Sequence, residues 1–155
     1  MKSGQTEDFP LQVKYRDIPV TDPVAEGNRR SLLDALDKLF AGDVDGFWSI
    51  YDPDVVFHEA SCLPYGGAHK GLAAAQAAHA EIEQTFGSFS TVFEAVLAAE
   101  DFVILYQTMD FEVRANGNRG TMPVAELFRF RDGKVIEWRA MYFDACLVAK
   151  AIKGS

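Results

Sequence analysis

Glu126 and Asp144 stand where β-strand alternation calls for apolar side chains. In TMPVAELFRFR (residues 121–131), residues two apart share one face of a strand. Met122, Val124, Glu126, Phe128 and Phe130 form one such row, apolar except for Glu126. In KVIEWRAMYFD (134–144), the row is Ile136, Trp138, Ala140, Tyr142 and Asp144, and Asp144 is the odd member. A carboxylate on a buried row must be paired, hydrogen-bonded or neutral, because an isolated buried charge is too costly. Each residue has a plain structural role to set against chemistry. Glu126 could pair with an arginine on a neighbouring strand, and Asp144 could cap its strand where the chain leaves the sheet. The chemical role is acid–base work in an apolar cavity. There burial raises a carboxyl pKa toward the operating pH, and a neutral acid or a phenol donates to a developing oxyanion.

The same alternation sorts the other polar residues. In VVFHEA (55–60), His58 shares a face with Val56, while Phe57 and Glu59 share the other. In the run 102–113, Tyr106, Thr108 and Asp110 alternate with Gln107, Met109 and Phe111, and periodicity leaves open which set points inward. The candidate catalytic residues are therefore Asp144, His58 and Glu126. Asp144 is the proposed general base, with His58 or Glu126 as its partner acid. Tyr65, Tyr106, Asp110, Trp138 and Tyr142 are candidates for contacting or orienting a ligand. His58, His69 and His79 fall in no HExxH pattern, and Cys62 and Cys146 form no CxxC pair, so no metal centre is expected. No nucleophile elbow, phosphate loop or dinucleotide fingerprint is present, and no organic cofactor is expected.

These residues need elements to position them. Residues 1–26 carry Pro10, Pro19 and Pro23 without sustained periodicity and read as an N-terminal extension, draped over the domain or partly mobile. A single domain is expected over 27–150. Its first helix is expected to start at Asn28 as N-cap, with Leu32, Leu33, Leu36, Leu39 and Phe40 as its apolar stripe. A short second helix follows, packing Phe47, Trp48 and Tyr51 and stopped by Pro53. VVFHEA is a strand, and SCLPYGGAHKG (61–71) reads as a loop because Pro64 and its glycines oppose a regular element. LAAAQAAHAEIEQTF (72–86) is the clearest helix, with His79 read as a surface or satisfied core histidine. Beyond Ser88, long β runs break at Ala99-Glu100-Asp101, at Asn116-Gly117 and at Asp132-Gly133, which predicts antiparallel strands joined by tight turns. Helices gathered before a meander give an α+β fold with helices on one face of a curved sheet.

Composition limits the function classes. An apolar share of 48% with 25% charged residues describes an ordinary globular chain. A net charge of −8 opposes both a nucleic-acid footprint and an anionic membrane surface. No apolar run approaches the roughly 20 residues that span a bilayer, and MKSGQTEDFP has no apolar core of a secretory signal. A cytoplasmic location with reduced thiols is the resulting expectation.

Taken together, the helix at 29–41, GDVDGFWSIYDPDVVFHE, PYGGAHKG before a long helix, and MPVAELFRFRDGKVIEWRAMYFD resemble the nuclear transport factor 2-like superfamily. The resemblance covers roughly residues 28–147 and is closest to the SnoaL-like branch of polyketide cyclases and ketosteroid isomerase-like proteins. It implies a cone-shaped, curved antiparallel sheet wrapped around about three helices of the N-terminal half, with an internal pocket, and it implies homodimerisation. It places an aspartate at Asp144 facing the pocket, and Tyr65 or His69 at the pocket rim. In the epoxide hydrolase-like branch Asp110 would match a second site aspartate, but Thr108 stands where that branch has arginine. The function that follows is a cofactor-independent acid–base enzyme, of isomerase or cyclase type, acting on an apolar cyclic carbonyl compound. The alternatives are a non-catalytic binding protein for a small apolar molecule, or an epoxide hydrolase-like enzyme lacking the arginine.

Overall fold

The computed structural model describes residues 19–154. The expected N-terminal extension therefore falls mostly outside the described residues. Helix α1 (Pro23–Phe40) begins earlier than the Asn28 boundary, because Asp22 accepts from the Val24 amide at 3.0 Å and Pro23 occupies the first helical position. Asn28 lies inside the helix and is buried. Helix α2 (Val44–Trp48) is capped by Asp43, which accepts from the Gly46 amide at 2.8 Å. Strand β1 (Tyr51–Glu59) starts ahead of the expected strand. Pro53 lies within it, where its pairing to the last strand shifts register between Tyr51 and Val56. Such an irregularity is where a sheet tolerates a residue with no amide to donate.

The loop expected at 61–71 contains a short strand, β2 (Gly67–Lys70), paired antiparallel to β1. Helix α3 (Leu72–Thr85) leads directly into β3 (Phe86–Ala99), and the meander continues through β4 (Phe102–Val113), β5 (Arg119–Arg131) and β6 (Lys134–Tyr142). At the β5–β6 turn, Asp132 (φ 50°) and Gly133 (φ 75°) supply the two positive φ values that a two-residue hairpin loop of matching twist requires. A closing helix, α4 (Ala145–Lys153), lies beyond the elements expected from the sequence.

One six-stranded sheet runs β2–β1–β6–β5–β4–β3, antiparallel except for the parallel pair β1–β6. The α+β class and the curved sheet over helices stand as expected. The parallel pair joins the first strand to the last, with α3 and the whole meander in the connection between them. The inward face carries two apolar clusters. One packs α1, α2 and α3 on Val55, Phe57, Leu105, Phe128, Val135 and Trp138. The other joins Met109, Phe111, Met122 and Val124 to Tyr65, Phe86 and Val148 of α4. The functional residues lie at the seam between these clusters.

Candidate functional site

The site is built on three neighbouring strands. Phe57 of β1, Trp138 of β6 and Phe128 of β5 are direct partners across the sheet. Their rings stack, with Trp138 at 4.1 Å and 23° from Phe57 and at 5.5 Å and 20° from Phe128. Offset stacking of this kind fixes the indole plane. One step along the strands, Glu126 pairs with Ala140, and continuing the β1–β6 register brings Glu59 beside Ala140 from the other side. Two carboxyl groups therefore flank one methyl group. Their backbones are two strand spacings apart, roughly 10 Å, and their side chains rise over the small residue between them. Tyr142, the next inward residue of β6, donates its hydroxyl to Glu59 Oε1 at 3.3 Å.

These groups open onto a cavity of about 600 Å³. Glu59, Glu126, Gln107, Thr91, Trp138 and Tyr142 supply its polar and aromatic floor. Leu36, Leu39, Phe47, Ile82 and Phe93 are among the residues of its apolar wall. The volume lies within the range of small-molecule sites. His79 of α3 forms part of the lining, packed against Trp48 and Trp138 with ring centroids 5.6 and 6.0 Å away. Burial lowers its pKa, partly opposed by Glu83, whose carboxylate lies 3.7 Å from Nδ1.

Burial pushes Glu59 up to about 8, reinforced by the charge of Glu126 and opposed by the Tyr142 hydroxyl and the Ala60 backbone. Glu126 is pushed up to about 7 by burial, opposed by the Trp138 indole and the Gln107 carboxamide. Two groups in one apolar site with separated pKa values are the pattern from which acid and base roles follow. Among the described residues, Glu59 Oε2, the hydroxyls of Tyr51 and Tyr65 and the Trp138 indole nitrogen have no hydrogen-bond partner in normal geometry.

The raised carboxyl groups link stability to pH. Below about 4.5, the ordinary glutamate value, folded and unfolded forms both hold the protons. Above it the unfolded chain releases them, while folded Glu59 keeps its proton to about 8 and folded Glu126 to about 7. The native state then binds more protons, so stability falls as pH rises through this window and levels off beyond it. The combined fall is expected to be on the order of a few kcal/mol. Urea midpoints at about pH 5 and about pH 8.5 should separate more in wild type than in Glu59→Gln.

Of the residues singled out from sequence, Glu126, Trp138 and Tyr142 meet at this cavity. The others do not. Asp144 is exposed and N-caps α4, accepting from the Leu147 amide at 2.9 Å. Alternation fails there because β6 ends at Tyr142. Removing the cap in Asp144→Ala is expected to cost about 1 kcal/mol of stability, read by urea denaturation, and to leave ligand binding unchanged. His58 belongs to the outward row of β1, with its Nε2 3.5 Å from Glu137. Tyr106 and Asp110 belong to the outward row of β4. Tyr106 is 40% exposed, and Asp110 accepts from the Thr121 hydroxyl. With Asp110 and Thr108 on that face, the epoxide hydrolase-like arrangement has no counterpart at the cavity. His69 of β2 bonds the Tyr65 carbonyl oxygen at 2.8 Å and stands outside the lining. Tyr65 is fully buried and stands outside the cavity lining.

Sequence reasoning passed over Glu59, Gln107 and Thr91, and gave His79 no chemical role. Glu59 had a signal: it shares its face with Phe57, so an apolar-facing carboxylate was visible in a short strand. Gln107 had one in the alternation of β4, once Leu105 and Met109 are placed inward. Among the described residues, no cluster of side chains suits a metal ion, and no helix is long and apolar enough to cross a membrane.

Comparisons with known proteins agree with this architecture. A protein assigned as a SnoaL-like polyketide cyclase from Jannaschia sp. CCS1 superposes with a TM-score of 0.74 at 23% identity, over 89% of this chain and 99% of that one. Bal32a, from a soil-derived mobile gene cassette, gives 0.70 at 26% identity over 82% and 95%. TerC, co-crystallised with polyporic acid, gives 0.71 at 19% identity over 82% and 98%. No curated protein matches the chain. The SnoaL-like domain matches residues 30–138, which run from within α1 to the β6 tryptophan and include both cavity carboxylates, and the chain belongs to that family.

Proposed function

We propose that this protein is a cofactor-independent acid–base enzyme of isomerase or cyclase type, acting on an apolar cyclic carbonyl compound. The observation that carries this reading is the pair of raised-pKa carboxyl groups over Ala140 on the floor of a mostly apolar cavity. Near pH 7 a substantial share of Glu126 is ionised, and it removes a proton from the carbon next to the carbonyl. Glu59 is mostly protonated at that pH. With the Tyr142 phenol beside it, it stabilises the oxygen that becomes an enolate. Glu126 then returns its proton to a second carbon, or the enolate carbon attacks a second carbonyl carbon of the same molecule. In the second case that C=O π bond breaks as the ring closes, and its alkoxide oxygen takes the proton back from Glu126. The assignment of the Jannaschia relative supports the cyclase form.

The apolar majority of the wall favours a second reading, a binding protein that holds the same class of ligand without turning it over. Incubating the protein with enolisable cyclic ketones in D₂O, followed by proton NMR, separates the two. Protein-dependent loss of an α-proton signal is the expected result. Binding without exchange supports the second reading, and neither binding nor exchange overturns both.

A further inference from the structure

If Glu126 is the base, some feature must hold it ionised more readily than Glu59 in the same cavity. The strand register identifies one. Glu126 pairs with Leu105 of β4, and Gln107 is the next inward residue on that strand. The two are diagonal neighbours, a spacing that long side chains bridge. Gln107 pairs in turn with Phe93 of β3, and Thr91 is the next inward residue there. Thr91 and Gln107 are 8% and 6% exposed, and both line the cavity. The Thr91 hydroxyl donates to Gln107 Oε1 and lies 3.5 Å from the Thr108 carbonyl oxygen. With its oxygen engaged there, the carboxamide has only its NH₂ to offer on the opposite side. A carboxylate, which accepts only, fits that side.

We infer that Thr91 and Gln107 are positioning residues for Glu126: the Thr91 hydroxyl holds the Gln107 carboxamide by its oxygen, so that its NH₂ is presented to Glu126. No such donor chain serves Glu59. Among the described residues, its hydrogen-bonding neighbours are the Tyr142 phenol and the Ala60 backbone, and its Oε2 has no partner. The arm thus makes the two carboxyl groups unequal. The other groups facing Glu126 do not favour its ionised form as the arm does, apart from the Trp138 indole. Glu59 of β1, Tyr142 of β6, and His79 and Glu83 of α3 line the same cavity, and Tyr51 of β1, outside the lining, feels the Glu126 charge. The catalytic meaning of the arm rests on the acid–base reading, but its existence does not.

The test is a carbon-13 NMR titration of the protein labelled at glutamate side-chain carboxyls, with Glu126 assigned by its absence in Glu126→Gln. Removing the amide donor in Gln107→Met is expected to raise the Glu126 midpoint by roughly one unit, the scale of one lost hydrogen bond to an ionised group. Thr91→Val should raise it in the same direction, and Thr91→Ser, which keeps the hydroxyl, should leave it near wild type. In the Gln107→Met background, Thr91→Val should add nothing further. An unchanged midpoint in Gln107→Met overturns the inference. So does a Thr91→Val shift that persists without Gln107. The titration needs no substrate, so an absence of proton exchange would sink the proposed function and leave this result standing.

Discussion

Glu126→Gln is expected to lower protein-dependent α-proton exchange by roughly 10²- to 10⁴-fold, the usual contribution of a positioned general base. The substitution keeps the shape of the side chain and most of its polarity, so ligand affinity should hold and the loss should fall on turnover. Gln107 and Trp138 would still surround the amide, which leaves the cavity floor intact. Glu59→Gln is a different experiment. Its working form at neutral pH is already the neutral acid, because burial and the Glu126 charge hold its pKa near 8. An amide in its place keeps a neutral donor, and a smaller loss of turnover is expected. A Glu126→Gln protein that exchanges as fast as wild type would remove Glu126 from the chemistry. Equal losses in both variants would show that the two carboxyl groups act as one unit.

The second large effect concerns stability. Trp138 contacts both walls of the domain: it stacks on Phe57 and Phe128 in the sheet and meets Phe47 and Trp48 of α2 at centroid distances of 6.1 and 6.2 Å. It is 6% exposed. Truncation in Trp138→Ala removes the central ring of the floor and leaves a cavity that the flanking β-sheet backbone cannot close. The expected cost is about 3–5 kcal/mol, seen as a lower urea midpoint with the denaturant slope unchanged. Trp138→Phe retains a stacking ring and should lose much less. If Trp138→Ala unfolds no more readily than Trp138→Phe, the stack is not what holds β1, β6 and β5 together.

Much of this site was legible before the fold was known, for a reason that can be located. Strand alternation is a strict period of two, so Glu126, Trp138 and Tyr142 were assigned correctly to inward rows wherever the strand continues unbroken. Asp144 was misassigned because that rule was run past the end of β6, into the capping position of a helix. Its first turn begins at Ala145, immediately after the aromatic run. An Asp two residues past a strand end and ahead of ACLVAKAIK is a helix start, a signal that apolar alternation hid. His58 and Glu59 differ by one residue and hence by a whole face. The histidine has the more familiar acid–base side chain, while its neighbour has the inward position. Tyr106 and Asp110 show the remaining limit: an evenly mixed strand does not say which row is buried until its partners are known, and β3 and β5 decide it. Ala140 is silent in sequence as well. Its importance is the room it leaves between two carboxyl groups, and that appears only in the register of three strands.

Two carboxyl groups sharing one apolar site are expected to titrate near neutrality with unequal midpoints. Carbon-13 NMR titration of the glutamate carboxyls in the wild-type protein tests it directly. The account predicts two resonances, assigned by Glu59→Gln and Glu126→Gln, with midpoints near 8 and near 7, the higher belonging to Glu59 and falling when Glu126 is replaced. Midpoints for both residues at the ordinary glutamate value of about 4.5 would contradict it.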